Sequence, residues 1–366
     1  MMGKRWRNTR LTIDYSDDLA LFRSRPAQAG ALLLAVAWLV LPMLLGEYWA
    51  TVFVYAGIAS IGAIGLNLLT GFTGQVSMGH AVFYGIGAYC AAIFAGRWGM
   101  PFPLWLVAAS VAGGIVGGLA GPFALRLRGN YLVIVSLGLL VIGTHTFENW
   151  TSVTGGLTGT AVQAKVAIGA LDVGALSVGS LRLTRNQGYL YFVWTVAGVL
   201  ALAARNIAHS RPGRALQAIR DRDLAAEVIG VSLVHYKVGA FVVSSGYAAC
   251  AGALYASYAR YVSPLDFSLF LSIQFIAMIV VGGIGTIHGS ILGAVFLTVL
   301  PRVIESVSGS LPFVSNNGTG GGLTVQSLNQ ALFGLLIIVF LLFEPMGMAE
   351  IWRRITRYSK AWPFSY

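Results

Sequence analysis

The chain is a succession of apolar blocks, many close to twenty residues long, separated by short polar or glycine-rich joints. A helix rises 1.5 Å per residue, so roughly 20 apolar residues cross the roughly 30 Å hydrocarbon layer of a bilayer. Of the 366 residues only 10% are charged and 57% are hydrophobic, whereas a soluble domain is about 25% charged. So few charges cannot cover a water-facing surface. The expected fold class is an all-α integral membrane protein, a polytopic helical bundle of about ten transmembrane helices. The expected spans are 30–46, 49–69, 80–96, 103–125, 130–148, 187–204, 236–258, 267–283, 287–305 and 329–345. An even number of spans puts both termini on one side.

Charge chooses the side. Lys4, Arg5, Arg7, Arg10, Arg23 and Arg25 precede the first block, and Arg126 and Arg128 lie between the fourth and fifth. Arg205, Arg211, Arg214, Arg220, Arg222 and Lys237 surround the 205–237 loop, and Arg353, Arg354, Arg357 and Lys360 close the chain. These are 18 of the 24 Lys and Arg residues; Arg97, Lys165, Arg182, Arg185, Arg260 and Arg302 fall on the opposite side. Positive residues stay on the cytoplasmic face, so both termini are expected there. The net charge of +11 thus reflects topology, and no nucleic acid partner is expected. Membrane lipid is the surrounding medium.

Three segments follow: 1–29 as a cytoplasmic N-terminal segment, 30–345 as a transmembrane domain, and 346–366 as a cytoplasmic tail. Within the domain, 149–186 is rich in Gly, Thr and Ser and nearly uncharged, and is expected outside. Residues 205–235 are highly charged and expected in the cytoplasm. The lead before the first block holds Asp14, Asp17 and Asp18, which suits a retained anchor better than a cleaved signal peptide. Cys90 and Cys250 both lie in apolar segments and read as small core residues, with no disulfide framework or metal site.

The 46 glycines have a pattern. Gly113, Gly117 and Gly121 recur every four residues, which places them on one helix face where another backbone can approach. Two other clusters break apolar blocks. Asn67, Gly71, Gly74, Gln75, Ser77, Gly79 and His80 form the first, and Gly282, Gly283, Gly285, Thr286 and Gly289 the second, in the other half of the chain. Backbone interrupted in this way cannot face lipid with its polar groups unsatisfied. It is either an ordinary turn at the membrane face or a broken helix of the kind that lines transport pathways. His80 and His288 lie beside the two breaks, where local hydrogen bonding competes with a pathway role.

The charged stretch Gly213–Val231 has apolar or small residues at Ala215, Ala218, Ile219, Ala225, Ala226 and Ile229, with Gly230 suited to a helix end. That pattern is expected to form a short amphipathic helix whose small face another protein packs against; a solvated basic loop is the bland alternative.

Together, the Gly65–Tyr89 segment, the Thr154–Gly159 turn, the Gly213–Gly230 loop, Pro264–Phe270 and Gly282–Ala294 resemble the permease subunits of branched-chain amino acid ABC importers, the LivM type. The resemblance spans roughly residues 49–305. It implies a coupling loop that docks on an ATPase subunit, here Gly213, Arg214, Ala218, Arg220, Leu224, Ala225, Ala226 and Gly230. The family's Glu-Ala-Ala-x-x-x-Gly pattern keeps both alanines and the glycine but holds Leu224 at the Glu position. It further implies a sister permease in a heterodimer, two ABC ATPase subunits, a periplasmic or surface-tethered binding protein, and a prokaryotic inner-membrane location. The pathway would carry branched-chain or related amino acids; a permease for urea or short amides is the alternative within the class.

The chain has no G-x-x-x-x-G-K-[ST] phosphate loop, so neither ATP binding nor any cofactor is expected of it. His80, His145, His209, His235 and His288 lack metal-ligand spacing. An enzyme would need clustered polar groups within the spans, and an ion-coupled transporter would need intramembrane carboxylates. Glu148, Glu305 and Glu344 all fall near span ends, so neither rival is favoured.

Overall fold

The computed structural model describes residues 36–354 except 37, 126–130, 169–170, 176, 179–180, 309–313, 316–322, 344–346 and 352. The chain divides into two units. The first ends at Leu45, and its described part is helical at 38–44. The expected span 30–46 falls largely outside the described residues. Everything below concerns the second unit, from Gly46 onward.

Helix α1 (Glu47–Thr73) lies at the centre. It is apolar on every side and buried almost without interruption from Ala56 to Thr73, as expected of a helix hydrophobic all round. Its 27 residues make it about 40 Å long. After it come α2 (His80–Ala91), α3 (Leu104–Leu125) and α4 (Tyr131–Asn149). The second half holds α5 (Arg185–His209), α6 (Arg211–Asp221), α7 (Asp223–Val228), α8 (Leu233–Ala259), α9 (Leu269–Gly282), α10 (Ile287–Ser308) and α11 (Val325–Phe343). Strands are confined to two-residue pairs.

Six of these helices, α1, α3, α4, α5, α8 and α10, are long and apolar enough to cross a bilayer. The others fall short for a local reason. α2 is α-helical for only 12 residues before it widens into a π-helical turn at Ala92–Arg97, and α9 has 14 residues. Each adjoins one glycine-rich break: α2 begins just after 74–79, and α9 ends where 283–286 begins. α11 contains the apolar stretch Gln330–Phe340.

Small residues set how closely the helices approach. Gly113 and Gly117 of α3 lie against Ala249 and Ser245 of α8, where an added Cβ would overlap side-chain atoms of both. The one-face spacing read from the sequence is therefore a packing seam. α2 and α8 come closer still. A Cβ at Gly87 would collide with the Ala249 carbonyl oxygen, and one at Gly252 with that of Tyr84. The two helices touch backbone to backbone through reciprocal glycines.

The 149–186 segment is ordered where it is described. Thr160–Ala161 pairs antiparallel with Tyr261–Val262, just beyond α8. Thr184 caps α5 in a reciprocal box: its hydroxyl accepts from Gln187 N–H, and the Gln187 side chain accepts from Thr184 N–H at 3.0 Å. Asn186 then donates to the Glu47 carboxylate, joining α5 to the start of α1.

Candidate functional site

Asn67 is a polar residue on the most deeply buried of the six long helices, and it is itself fully buried. Its amide nitrogen donates to the Thr286 carbonyl at 2.9 Å and the Ser290 hydroxyl at 2.7 Å, while its amide oxygen accepts from Gly285 N–H at 2.9 Å. A buried amide is costly unless satisfied, and here its donors and acceptor all meet the second glycine break. The break is also braced from within: the Thr286 hydroxyl donates to the Gly283 carbonyl at 2.8 Å, and the Ser290 hydroxyl to the Thr286 carbonyl at 3.2 Å. Asn67 thus fastens the end of α1 to the start of α10.

One turn further along α1, Gly71 has no room for a side chain, because a Cβ there would overlap the Asn67 amide oxygen. Its carbonyl accepts a hydrogen bond from Nη1 of Arg220, on α6, at 2.6 Å. Gly285, at φ +81°, lies against the same guanidinium. A charged helix outside the six long apolar helices therefore reaches the point where α1 and the second break meet. Asn67, Gly71, Gly285, Thr286 and Arg220 form one cluster, with Ser290 as an added member.

The remaining residues of the two clusters make contacts of their own. Gly74 ends α1 in the left-handed region at φ +73°, beside Arg220, and the Thr70 hydroxyl holds the Gln75 carbonyl at 2.9 Å. Gln75 is buried, and its Oε1 has no hydrogen-bond partner. Ser77 is buried, and a side chain at Gly79 would press on the Ser136 carbonyl of α4. Ser136 and Ser272 hold the start of α2, accepting from Met78 N–H at 2.9 Å and Ala81 N–H at 3.0 Å. His80 is buried, its Nε2 is 3.0 Å from the Gly62 carbonyl, and its ring meets Phe275 edge-on. The ring is thus held by a carbonyl of α1 and by α9. Gly282, Gly283 and Gly289 close the α9–α10 corner, where a Cβ at Gly282 would overlap the Gly289 carbonyl.

In the 205–235 segment the structure differs from the single helix expected over 213–230. Arg222 is extended at φ −157°, ψ 105°, and splits the stretch into α6 and α7. Ser210 caps α6, and Gly213 is needed at the corner because a Cβ would collide with the Ile207 and Ala208 carbonyls. Leu216 and Ile219 turn inward, while the Arg214 guanidinium donates to the His209 carbonyl at 3.1 Å. Ala218 is half-buried. On α7 Ala226 is only 2% exposed, buried within its own chain, while Leu224 is 60% exposed. Val228 and Ile229 are 87% and 75% exposed, and Ala225 shares that outer side. Gly230 ends the segment at φ +90°.

Sequence reasoning missed the serines. Ser290 sits four residues after Thr286, and Ser136 and Ser272 are isolated polar residues in apolar helices. That isolation was the available signal.

This architecture coincides with a known family. The model for the branched-chain amino acid transport system permease component matches residues 48–341, from the start of α1 through most of α11. The chain belongs to this family. It is 29% identical to the high-affinity branched-chain amino acid permease protein LivM of Salmonella typhimurium, over 88% of this chain and 74% of that one. It is 27% identical to the permease protein LivH of Escherichia coli over 78% of this chain and 89% of the relative. A probable LivM of Methanocaldococcus jannaschii is 22% identical over 67% of each. No solved structure matches.

Proposed function

We propose that this chain is a permease subunit of an ABC importer and forms part of the membrane pathway for branched-chain or related amino acids. The observation that carries the reading is the Arg220 contact. A helix in the charged segment touches the junction of the two glycine breaks, so movement imposed on α6 and α7 reaches the membrane helices directly. Family membership supplies the class of cargo.

In this reading the protein sits in the prokaryotic inner membrane with both termini cytoplasmic. About ten spans are completed by the segment before Leu45 and by shorter helices packed against their neighbours. Residues 205–235 face the cytoplasm and dock on an ATPase through Leu224, Ala225, Val228 and Ile229. Residues 149–186 face outward and receive the binding protein. A sister permease and two ATPase subunits complete the complex, whose energy comes from ATP hydrolysed by the partners. Asn67, Gly71 and Gly285 form the hinge region of the pathway.

Reconstitution tests this. The chain, its sister permease, two ATPase subunits and the binding protein in proteoliposomes should take up labelled leucine only with ATP inside the ATPase compartment. Uptake driven by an ion gradient without ATP would overturn the reading.

A further inference from the structure

At the Glu47 end of α1, away from Asn67, lies a cavity of about 470 Å³ between α1, α9, α10 and α11. That is within the roughly 300–1,000 Å³ range of small-molecule sites. Its floor is apolar: Val52, Met278 and Leu297 line it and are nearly fully buried. Its rim carries one charge of each sign, Arg302 and Glu305, both on α10. The pair is bonded through Arg302 Nη1, at 3.2 and 3.0 Å from the two carboxylate oxygens. Nη1 is one of three nitrogens in a group with five N–H donors.

A third feature comes from Pro301, inside α10 and on the cavity wall. Proline has no N–H, so the Leu297 carbonyl, one turn earlier, loses its helical donor. Leu297 lines the same cavity, which offers a guanidinium and a carboxylate above an apolar floor, with the Leu297 carbonyl freed in its wall. Tyr55, Gln274 and Thr298 add neutral polar groups.

These are the complements of one kind of molecule. We infer that the cavity holds a zwitterionic aliphatic α-amino acid, its carboxylate on Arg302, its ammonium on Glu305 and the Leu297 carbonyl, and its side chain on Val52 and Met278. The inference rests on the importer reading and deepens it by giving this chain a substrate site. Arg302 and Glu305 are each more than one-third exposed, so their mutual bond is weak and readily exchanged for a ligand's charges. The site also connects to the junction described above. α1 and α10 carry the cavity at one end and the Asn67 junction at the other, and Tyr55 lies about 18 Å along α1 from Asn67. An occupant therefore touches α1, whose other end Arg220 braces.

The test uses the reconstituted complex with leucine and valine as probes. Arg302→Gln and Glu305→Gln should each lower leucine uptake at least tenfold while ATP hydrolysis stimulated by loaded binding protein stays within twofold of wild type. Val52→Leu adds a methylene to the floor and should raise the ratio of valine to leucine uptake at least threefold, with the binding protein unchanged. A folding defect would lower both rates without moving their ratio. Unchanged leucine uptake in both charge variants, or an unchanged ratio in Val52→Leu, overturns the site. If the wild-type complex hydrolyses ATP but moves no leucine, the importer reading itself falls.

Discussion

Arg220 and Gly71, 149 residues apart in sequence, are joined by a 2.6 Å hydrogen bond from the guanidinium to the backbone carbonyl. The bond links a charged, amphipathic helix to the last turns of the most deeply buried one. Hydrogen bonds to charged groups contribute about 1.5–3 kcal/mol, enough to keep two elements moving together. Arg220→Ala should leave assembly with the ATPases intact and lower ATP-driven uptake at least tenfold, with hydrolysis continuing. Arg220→Lys should fall between, since a lysine offers a point charge without the planar fork. Comparing uptake with hydrolysis in proteoliposomes checks this; equal transport by Arg220→Ala would remove the link.

Asn67 predicts a stability effect of a different kind. Its removal strands the Gly285 N–H, while the Thr286 carbonyl keeps the Ser290 N–H and hydroxyl, and an unsatisfied group costs about 1–3 kcal/mol. Asn67→Leu, near in volume but without polar atoms, should therefore lower the thermal unfolding midpoint of the purified chain by several degrees. Asn67→Asp keeps the acceptor for Gly285 but places a charge beside the Thr286 carbonyl, and should be worse. Tryptophan fluorescence melts in detergent measure both. A midpoint unmoved by Asn67→Leu would mean that the junction does not hold α1 to α10.

Much of this was legible in the sequence, because glycine and isolated polar residues are conspicuous in apolar blocks. Both breaks, Asn67 and the Gly113–Gly117 seam could be read from spacing alone. What spacing does not carry is which distant elements meet. Nothing in the order of residues says that Asn67 finds Gly285 rather than a nearer partner. The two sides of α7 were obscured because adjacent alanines suit a buried face and a docking face equally well: Ala226 is buried while Ala225 is exposed. Arg302 and Glu305 read as charges at a span end until the structure set them over an apolar floor.

Topology can be checked independently. The 18-to-6 distribution of Lys and Arg predicts both termini in the cytoplasm and 149–186 outside. Alkaline phosphatase fused in the 160–180 region should be active, and the same reporter at Lys360 inactive, with a cytoplasmic reporter giving the reverse. Matching signals at the two sites would overturn the orientation.

The sharpest prediction separates the two sides of α7. Ala226 is buried against its own chain, and overpacking a filled interior typically costs about 1–3 kcal/mol. Ala226→Trp should therefore lower the stability of the isolated chain before any partner is involved. Leu224, Val228 and Ile229 are the reverse case: they are exposed apolar groups in a highly charged segment, left largely uncovered by the described residues of their own chain. In a complex, burying such groups stabilises the interface, at about 25 cal/mol per Å² of apolar area. Val228→Asp and Leu224→Asp should leave the unfolding midpoint of the chain unchanged. They should also reduce recovery of the ATPase subunits on co-purification at least tenfold, which needs only about 1.4 kcal/mol. The control is Val111→Asn, at an exposed position on α3 far from α7 in sequence, which should not affect recovery. If the Asp variants retain the ATPases, the docking face lies elsewhere. If Ala226→Trp is as stable as wild type alone but loses the ATPases, Ala226 belongs to the docking face after all.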